Sequence, residues 1–222
     1  FNGLKNMTII VNSNWLKDQV KDSFLSDYPI QMIHNGININ NFKPANGSEK
    51  RQSLNLNKKF IILGIANQWT KRKGLADFIR LSRKLTDDEV IVLDGLNEKQ
   101  RKNLPKNIIS LCRATSINEL TVLYSMADVF LNPTYEDNFP TTNLESLACG
   151  TPVVTYNTGG SPEAIDLNTG FVVSKSDIDS VYLKIKIIKK KGKDTYFNSC
   201  LERARLAFNH RVNYKRIIEL YK

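Results

Sequence analysis

With 222 residues, 41% of them hydrophobic and 24% charged, the chain has the balance of a globular protein and room for one large domain, or one domain and part of another. No apolar run approaches the ~20 residues needed to cross a bilayer, and Phe1–Lys5 lacks the cationic-then-apolar order of a secretory leader. A formal charge of +10 favours anionic partners: nucleotide phosphates, nucleic acid or an acidic membrane face. Three widely separated cysteines fit neither a disulfide framework nor a zinc site, which points to reduced, buried thiols in a cytoplasmic protein. The chain does not open with Met, so a processed or excised piece is expected.

In chain order, Met7–Asn12 reads as a strand, and Ser13 or Asn12 as the cap of a helix carrying Leu16, Val20 and Phe24 on one face. Ile30–Ile33 is a second short strand, followed by a turn at His34–Ile37; residues 45–58 are polar and basic, like a linker. Neither His34 nor His210 has a nucleophile signature nearby, so neither is expected to be catalytic. Phe60–Ile65 is a continuous apolar strand suited to burial on both faces. After it, a loop over residues 66–74 presents Lys71, Arg72 and Lys73 to a phosphate before a helix begins at Leu75. Glu89–Asp94 and Asn107–Leu111 are further strands, and Ser116 with Glu119 fits a capping box at the head of a helix bearing Leu120, Leu123, Tyr124 and Ala127. Strand Asp128–Asn132 delivers the acids Glu136 and Asp137. Thr142 with Glu145 then fits a second capping box, Gly150 and Pro152 end that helix, and Val153–Tyr156 is a buried strand. A loop with paired glycines, Gly159 and Gly160, leads to Glu163 and strand Gly170–Val173. A helix capped near Ser176 buries Ile178, Val181, Ile185 and Ile188 and keeps its lysines wet, and two more helices follow, near Tyr196–Phe208 and Asn213–Tyr221. Strands alternating with helices imply an α/β fold with a doubly wound, mostly parallel, Rossmann-like sheet.

The stretch Tyr135–Val154 concentrates the chemistry. A helix N-terminus directly after a strand's carboxyl end is where such sheets bind phosphates, so the backbone N–H groups of Thr141, Thr142 and Asn143 are anion-binding candidates. The carboxylates beside them could hold sugar hydroxyls.

The same stretch resembles the donor signature of family-4 retaining glycosyltransferases of the GT-B fold, whose members typically read E-G-F-G-x-P-x-x-E-A-M-A-C-G-x-P-V-V. Phe139, Glu145, Ala148, Cys149, Gly150, Pro152, Val153 and Val154 match in register. Asp137 stands where the family carries its first Glu, with Glu136 one position earlier, and Pro140 replaces a usual Gly. Lys73-Gly74 resembles the family's diphosphate-binding K-G, although its companion Arg is Gln68 here and Arg72 is the candidate in its place. Ser13, Trp15 and Leu16, then Ile33, Asn35, Gly36, Ile37, Phe42 and Pro44, resemble the passage from the first GT-B domain to the second.

The resemblance implies the C-terminal half of a GT-B enzyme. Residues 1–36 would be the tail of an acceptor domain, 37–210 the nucleotide-sugar domain and 211–222 a helix crossing back. Glu145 would hold the ribose hydroxyls, Lys73 the diphosphate, and Asp137 or Glu136 the donor sugar; these three, Lys73, Glu145 and Asp137, are the expected catalytic set. Arg72, Arg113 (beside the base), Glu136, Asn138, Phe139, Thr141, Thr142 and Asn143 complete the donor site. No metal and no cofactor is expected. The expected partners are a UDP- or GDP-linked sugar as substrate and a glycan or lipid-linked acceptor, compatible with peripheral association at the cytoplasmic membrane face. This chain alone is expected to transfer little or nothing. Two alternatives remain: a related nucleotide-sugar epimerase, whose acids and histidines form no recognisable pattern here, and a non-enzymatic basic domain. For that domain the ligand would be anionic membrane or nucleic acid; no nucleic acid is the expectation, because aromatics do not interleave with the Lys and Arg residues.

Overall fold

The computed structural model describes residues 4–221; Phe1–Gly3 and Lys222, the outer ends of the expected first and last segments, lie outside the described residues. The chain opens with β1 (Ile9–Val11), α1 (Asn14–Lys21) and β2 (Ile30–Met32), and the two strands pair in parallel as a sheet of their own. There follow α2 (Ser48–Ser53), β3 (Phe60–Ile65), a 3-10 turn (Lys71–Lys73), α3 (Leu75–Ser82), β4 (Glu89–Asp94), α4 (Glu98–Arg101), β5 (Ile108–Ser110) and α5 (Ile117–Met126). The chain continues through β6 (Val129–Asn132), α6 (Thr141–Ala148), β7 (Val153–Tyr156), a second 3-10 turn (Ser161–Ala164), β8 (Gly170–Val173), α7 (Ile178–Lys191), α8 (Asp194–Ala207) and α9 (His210–Glu219).

Strands β3 to β8 form one all-parallel sheet in the order β5-β4-β3-β6-β7-β8. This is the doubly wound, Rossmann-like arrangement expected. The chain steps outward from β3 to β5, then returns to β6 and steps the other way. The reversal lies between β3 and β6, where open α/β sheets form a crevice beyond the strand ends. Every residue of β4, β6 and β7 is buried, which explains why most of them are apolar: both faces are covered by helices. Among the described residues no helix is long and apolar enough to cross a membrane.

Several local expectations are corrected. Residues 45–58 contain α2 rather than a bare linker, because Arg51 ties it down: its Nε donates to the Met126 carbonyl at 2.7 Å and its Nη2 to Asp128 Oδ2 at 2.8 Å. Phe24 lies beyond the end of α1 and is 68% exposed. The box at α5 is displaced by one residue, since Ser116 accepts from the Glu119 amide while Glu119 accepts from the amide of Thr115. The box at Thr142 does not form at all: α6 starts at Thr141 after Pro140, with no side-chain cap. The cap of α7, expected near Ser176, is Asp177, whose side chain accepts from the Ser180 amide. Lys189 on that helix reaches Asp88 and Glu89 at 2.7 and 2.8 Å, so not all of its lysines are merely solvated. Cys149 and Cys200 are buried as expected, but Cys112 is exposed.

The β1–α1–β2 unit and the turn after it are tied to the start of α9. Ile37 exchanges backbone hydrogen bonds with the start of α9, donating to the Phe208 carbonyl and accepting from the His210 amide, and Asn213 Nδ2 of α9 donates to the His34 carbonyl at 2.9 Å.

Candidate functional site

The loops leaving β3 and β6 meet above the reversal point. Tyr135 donates its amide to the Arg72 carbonyl at 2.7 Å, and Arg72 Nη1 donates to the Glu136 carbonyl at 3.3 Å. Gly74 adopts φ +74°, and a Cβ there would sit 2.3 Å from the Pro133 carbonyl oxygen, so only glycine lets the loops approach this closely. The result is an ion pair between two sequence candidates: Lys73 Nζ lies 2.7 Å from Asp137 Oδ2, with side-chain exposures of 24% and 18%. The paired glycines have a similar purpose. Gly160 donates its amide to the Asp137 carbonyl, and a Cβ on Gly159 or Gly160 would fall within 2.0 Å of the acidic loop's backbone.

Helix α6 begins next to this pair. The amides of Thr141 and Thr142 donate to no described residue, as first-turn amides do, and so remain available to an anion. Asn143 does not share that role. Its amide donates to the Pro140 carbonyl at 3.2 Å, and its fully buried side chain accepts from Asn132 Nδ2 at 2.8 Å and donates to the Ser161 carbonyl. Phe139 is also structural: it is 3% exposed and stacks on His34 at 4.6 Å. Glu136, Asn138 and Arg72 are exposed at the mouth of the crevice.

Glu145 lies one turn into α6. With no cap to serve, its Oε2 accepts from the hydroxyl of Tyr124 at 2.8 Å, and Tyr124 is fully buried. Burial raises the Glu145 carboxyl above its ordinary value, while bonding to Tyr124 and Thr141 pulls the other way. Arg113 is exposed on the loop after β5 and lines a separate groove of about 510 Å³ with Lys50, Ala114 and Glu119. Asp94, not among the sequence candidates, fixes that loop: buried at the end of β4, it accepts from the Ala114 amide at 2.9 Å. A cavity of about 660 Å³ against α3 takes in Arg72 and Glu136 on its rim, but neither Lys73, Asp137 nor Glu145 lines it. The Lys73–Asp137 pair is next in sequence to Arg72 and Glu136 of that lining.

Glu163 was only a loop acid in the sequence. In the structure it caps α1 from 149 residues away, accepting from the amides of Asn14 and Trp15 at 2.9 and 3.0 Å and pairing with His34 Nε2 at 2.9 Å. Burial works against this carboxylate, but the bonds from His34, Asn14 and Trp15 outweigh it and hold its pKa below the ordinary value. A carboxyl depressed on folding contributes stability above its unfolded value of 4.5, and that contribution disappears as the pH falls through the folded value. Glu163→Gln should therefore lower stability near neutral pH by about 1–3 kcal/mol and flatten the acid limb. Thermal unfolding of both proteins between pH 7 and 3 checks this; curves that stay parallel would contradict it.

The family model described as "Glycosyl transferases group 1" matches residues 46–205, from α2 to α8. The chain belongs to this family. It is 26% identical over 210 residues to the D-inositol 3-phosphate glycosyltransferase of Mycobacterium sp. (strain KMS), covering 88% of this chain and 48% of that protein. It is 32% identical over 161 residues to the alpha-galactosylglucosyldiacylglycerol synthase of Streptococcus pneumoniae, covering 66% of this chain and 42% of that one. The chain thus spans about half the length of the curated relatives it matches. Among solved structures it superposes on sucrose-phosphate synthase from Thermosynechococcus elongatus with a TM-score of 0.85 at 24% identity, over 98% of this chain and 58% of that one. HepE of Anabaena, solved with UDP-glucose, gives 0.81 at 19% identity over 96% and 62%. The C-terminal domain of LpcC from Francisella tularensis, crystallised by itself, gives 0.66 at 20% identity over 78% of this chain and 99% of that domain. The fold is the C-terminal half of the GT-B architecture.

Proposed function

We propose that this chain supplies the donor site of a retaining, metal-independent glycosyltransferase that moves a sugar from a nucleotide-sugar to a glycan or lipid-linked acceptor. The observation that carries this reading is the convergence of the Lys73–Asp137 pair, the unpaired amides of Thr141 and Thr142, and the half-buried Glu145 at one reversal point of a group 1 sheet. In the reaction, the bond between the anomeric carbon and the diphosphate oxygen breaks and its electron pair leaves on the diphosphate. The acceptor hydroxyl oxygen bonds to that carbon on the same face, and its proton passes to the released diphosphate. Lys73, Arg72 and the α6 amides stabilise the departing charge, Glu145 holds the ribose diol, and Asp137 or Glu136 orients the sugar. Residues 37–210 form the donor domain in this reading, 1–36 belong to an acceptor lobe, and 211–222 cross back to it.

The UDP-glucose bound by HepE supports uracil as the first base to test. The synthase relative, whose name denotes a glycosyl-diacylglycerol product, supports a lipid-linked acceptor; use of that acceptor at the cytoplasmic membrane face is part of the same proposal. Thermal stabilisation by UDP, GDP, ADP and their sugar conjugates, at two salt concentrations, tests the donor site. One nucleotide should stabilise the fold selectively, by about 2.7 kcal/mol at a hundredfold excess over its Kd. Equal weak effects from all three that vanish with salt would instead indicate a general polyanion surface.

A further inference from the structure

We propose that Tyr124 is a positioning residue for nucleotide recognition: its hydroxyl fixes the Glu145 carboxylate in the orientation that accepts a ribose diol. The inference rests on the donor-site reading above. Tyr124 belongs to α5, which carries none of the donor-site candidates, and its side chain is fully buried. Its hydroxyl donates to Glu145 Oε2 at 2.8 Å. A buried tyrosine hydroxyl needs an acceptor, and a neutral carbonyl would satisfy that need with no charge in the core. Here the acceptor is a carboxylate whose own burial is unfavourable, on helix α6, which follows directly from the loop carrying Asp137.

The tyrosine is held so that its hydroxyl has little freedom. Its ring packs edge-on against Phe130 at 5.3 Å. Its carbonyl accepts from Thr151 Oγ1 at 2.7 Å, and the Thr151 carbonyl accepts from Ser146 Oγ at 2.9 Å, on the residue next to Glu145. Helix α5, the end of α6 and the start of β7 are thereby joined around one hydroxyl–carboxylate bond. A carboxylate offers about four acceptor positions. Tyr124 occupies one on Oε2 and sets the plane of the group; a vicinal diol takes two others only if that plane is fixed in advance. The groups facing Glu145 are Tyr124 of α5, Thr141 one turn earlier, and the Cys149 thiol one turn later.

The test is a pairing of variant and ligand. Tyr124→Phe keeps the ring and removes only the hydroxyl. The nucleotide that stabilises the wild type best among UDP, GDP and ADP is titrated beside its 2′,3′-dideoxy counterpart, by calorimetry. If Tyr124 acts through the carboxylate's grip on the diol, the variant should bind the ribonucleotide about tenfold more weakly, and the dideoxy compound as the wild type does. Glu145→Gln in the Tyr124→Phe background should then add much less loss than it does alone, because the two side chains act as one unit. Equal losses on both ligands, no loss on either, or additive losses in the double variant would overturn the inference and make Tyr124 a core residue only. A wild type that binds none of the three nucleotides would overturn the donor-site reading itself, and this inference with it.

Discussion

Replacing Glu145 by glutamine should weaken nucleotide binding about ten- to hundredfold and leave the protein as stable as before, or more so. The two halves of this expectation have one cause. Burial raises the Glu145 carboxyl above its unfolded value of 4.5, so folding disfavours the charged form of this group. Its contribution to stability therefore becomes less favourable as the pH climbs from 4.5 through the folded value, the opposite sense to Glu163. Glutamine has no charge to desolvate and can still accept the Tyr124 hydroxyl bond, so the thermal midpoint near pH 7 should not fall. What it loses is the charge-assisted grip on the ribose hydroxyls. A midpoint several degrees lower, with affinity unchanged, would mean that Glu145 is a packing residue and that the nucleotide binds elsewhere.

The parts of this fold that could be read in the sequence are those where local pattern and tertiary environment agree. Strands β3, β4, β7 and β8 occupy the expected ranges because mostly buried parallel strands appear as short, largely apolar and β-branched runs ended by turn residues. The misread places are those where a polar residue has a distant partner. Thr142 and Glu145 have capping-box spacing, but Tyr124 on α5 takes the carboxylate first, and nothing local announces that. Glu163 caps a helix from across the chain, so its role was invisible at its own position. Arg51 looked like one cation in a wet stretch, yet Asp128 and the Met126 carbonyl draw it in and make α2 part of the body. Asn143 and Phe139 stood inside a functional signature and were grouped with the donor contacts. Their neighbours Thr141 and Asn138 do face outward; Asn143 and Phe139 face inward and hold the loop that presents the others. A signature preserves a scaffold as well as a site, and periodicity within so short a helix does not separate the two.

The Lys73–Asp137 pair allows a sharper test than removing either residue for its own sake. In the structure each side chain neutralises the other across the two loops. A diphosphate arriving at the α6 N-terminus would compete with Asp137 for the ammonium, whereas a sugar hydroxyl would donate to the carboxylate. The two substitutions should therefore move UDP affinity in opposite directions. Lys73→Ala removes the cation and leaves a partly buried carboxylate without its partner; UDP should bind about ten- to hundredfold more weakly. In an enzyme with both lobes, kcat should fall about a hundredfold or more, because charge on the leaving group goes unanswered in the transition state. Asp137→Asn releases the lysine, so UDP should bind several-fold better than to the wild type. On the proposed role of Asp137, the extra affinity of a UDP-sugar over UDP should shrink once its carboxylate is gone. Calorimetric titration of UDP and UDP-glucose into the three proteins gives all of these numbers. If the pair serves only to hold the loops together, both substitutions will lower the melting temperature and neither will change nucleotide affinity. Opposite shifts for UDP can arise only if Lys73 has work to do on a ligand that Asp137 restrains.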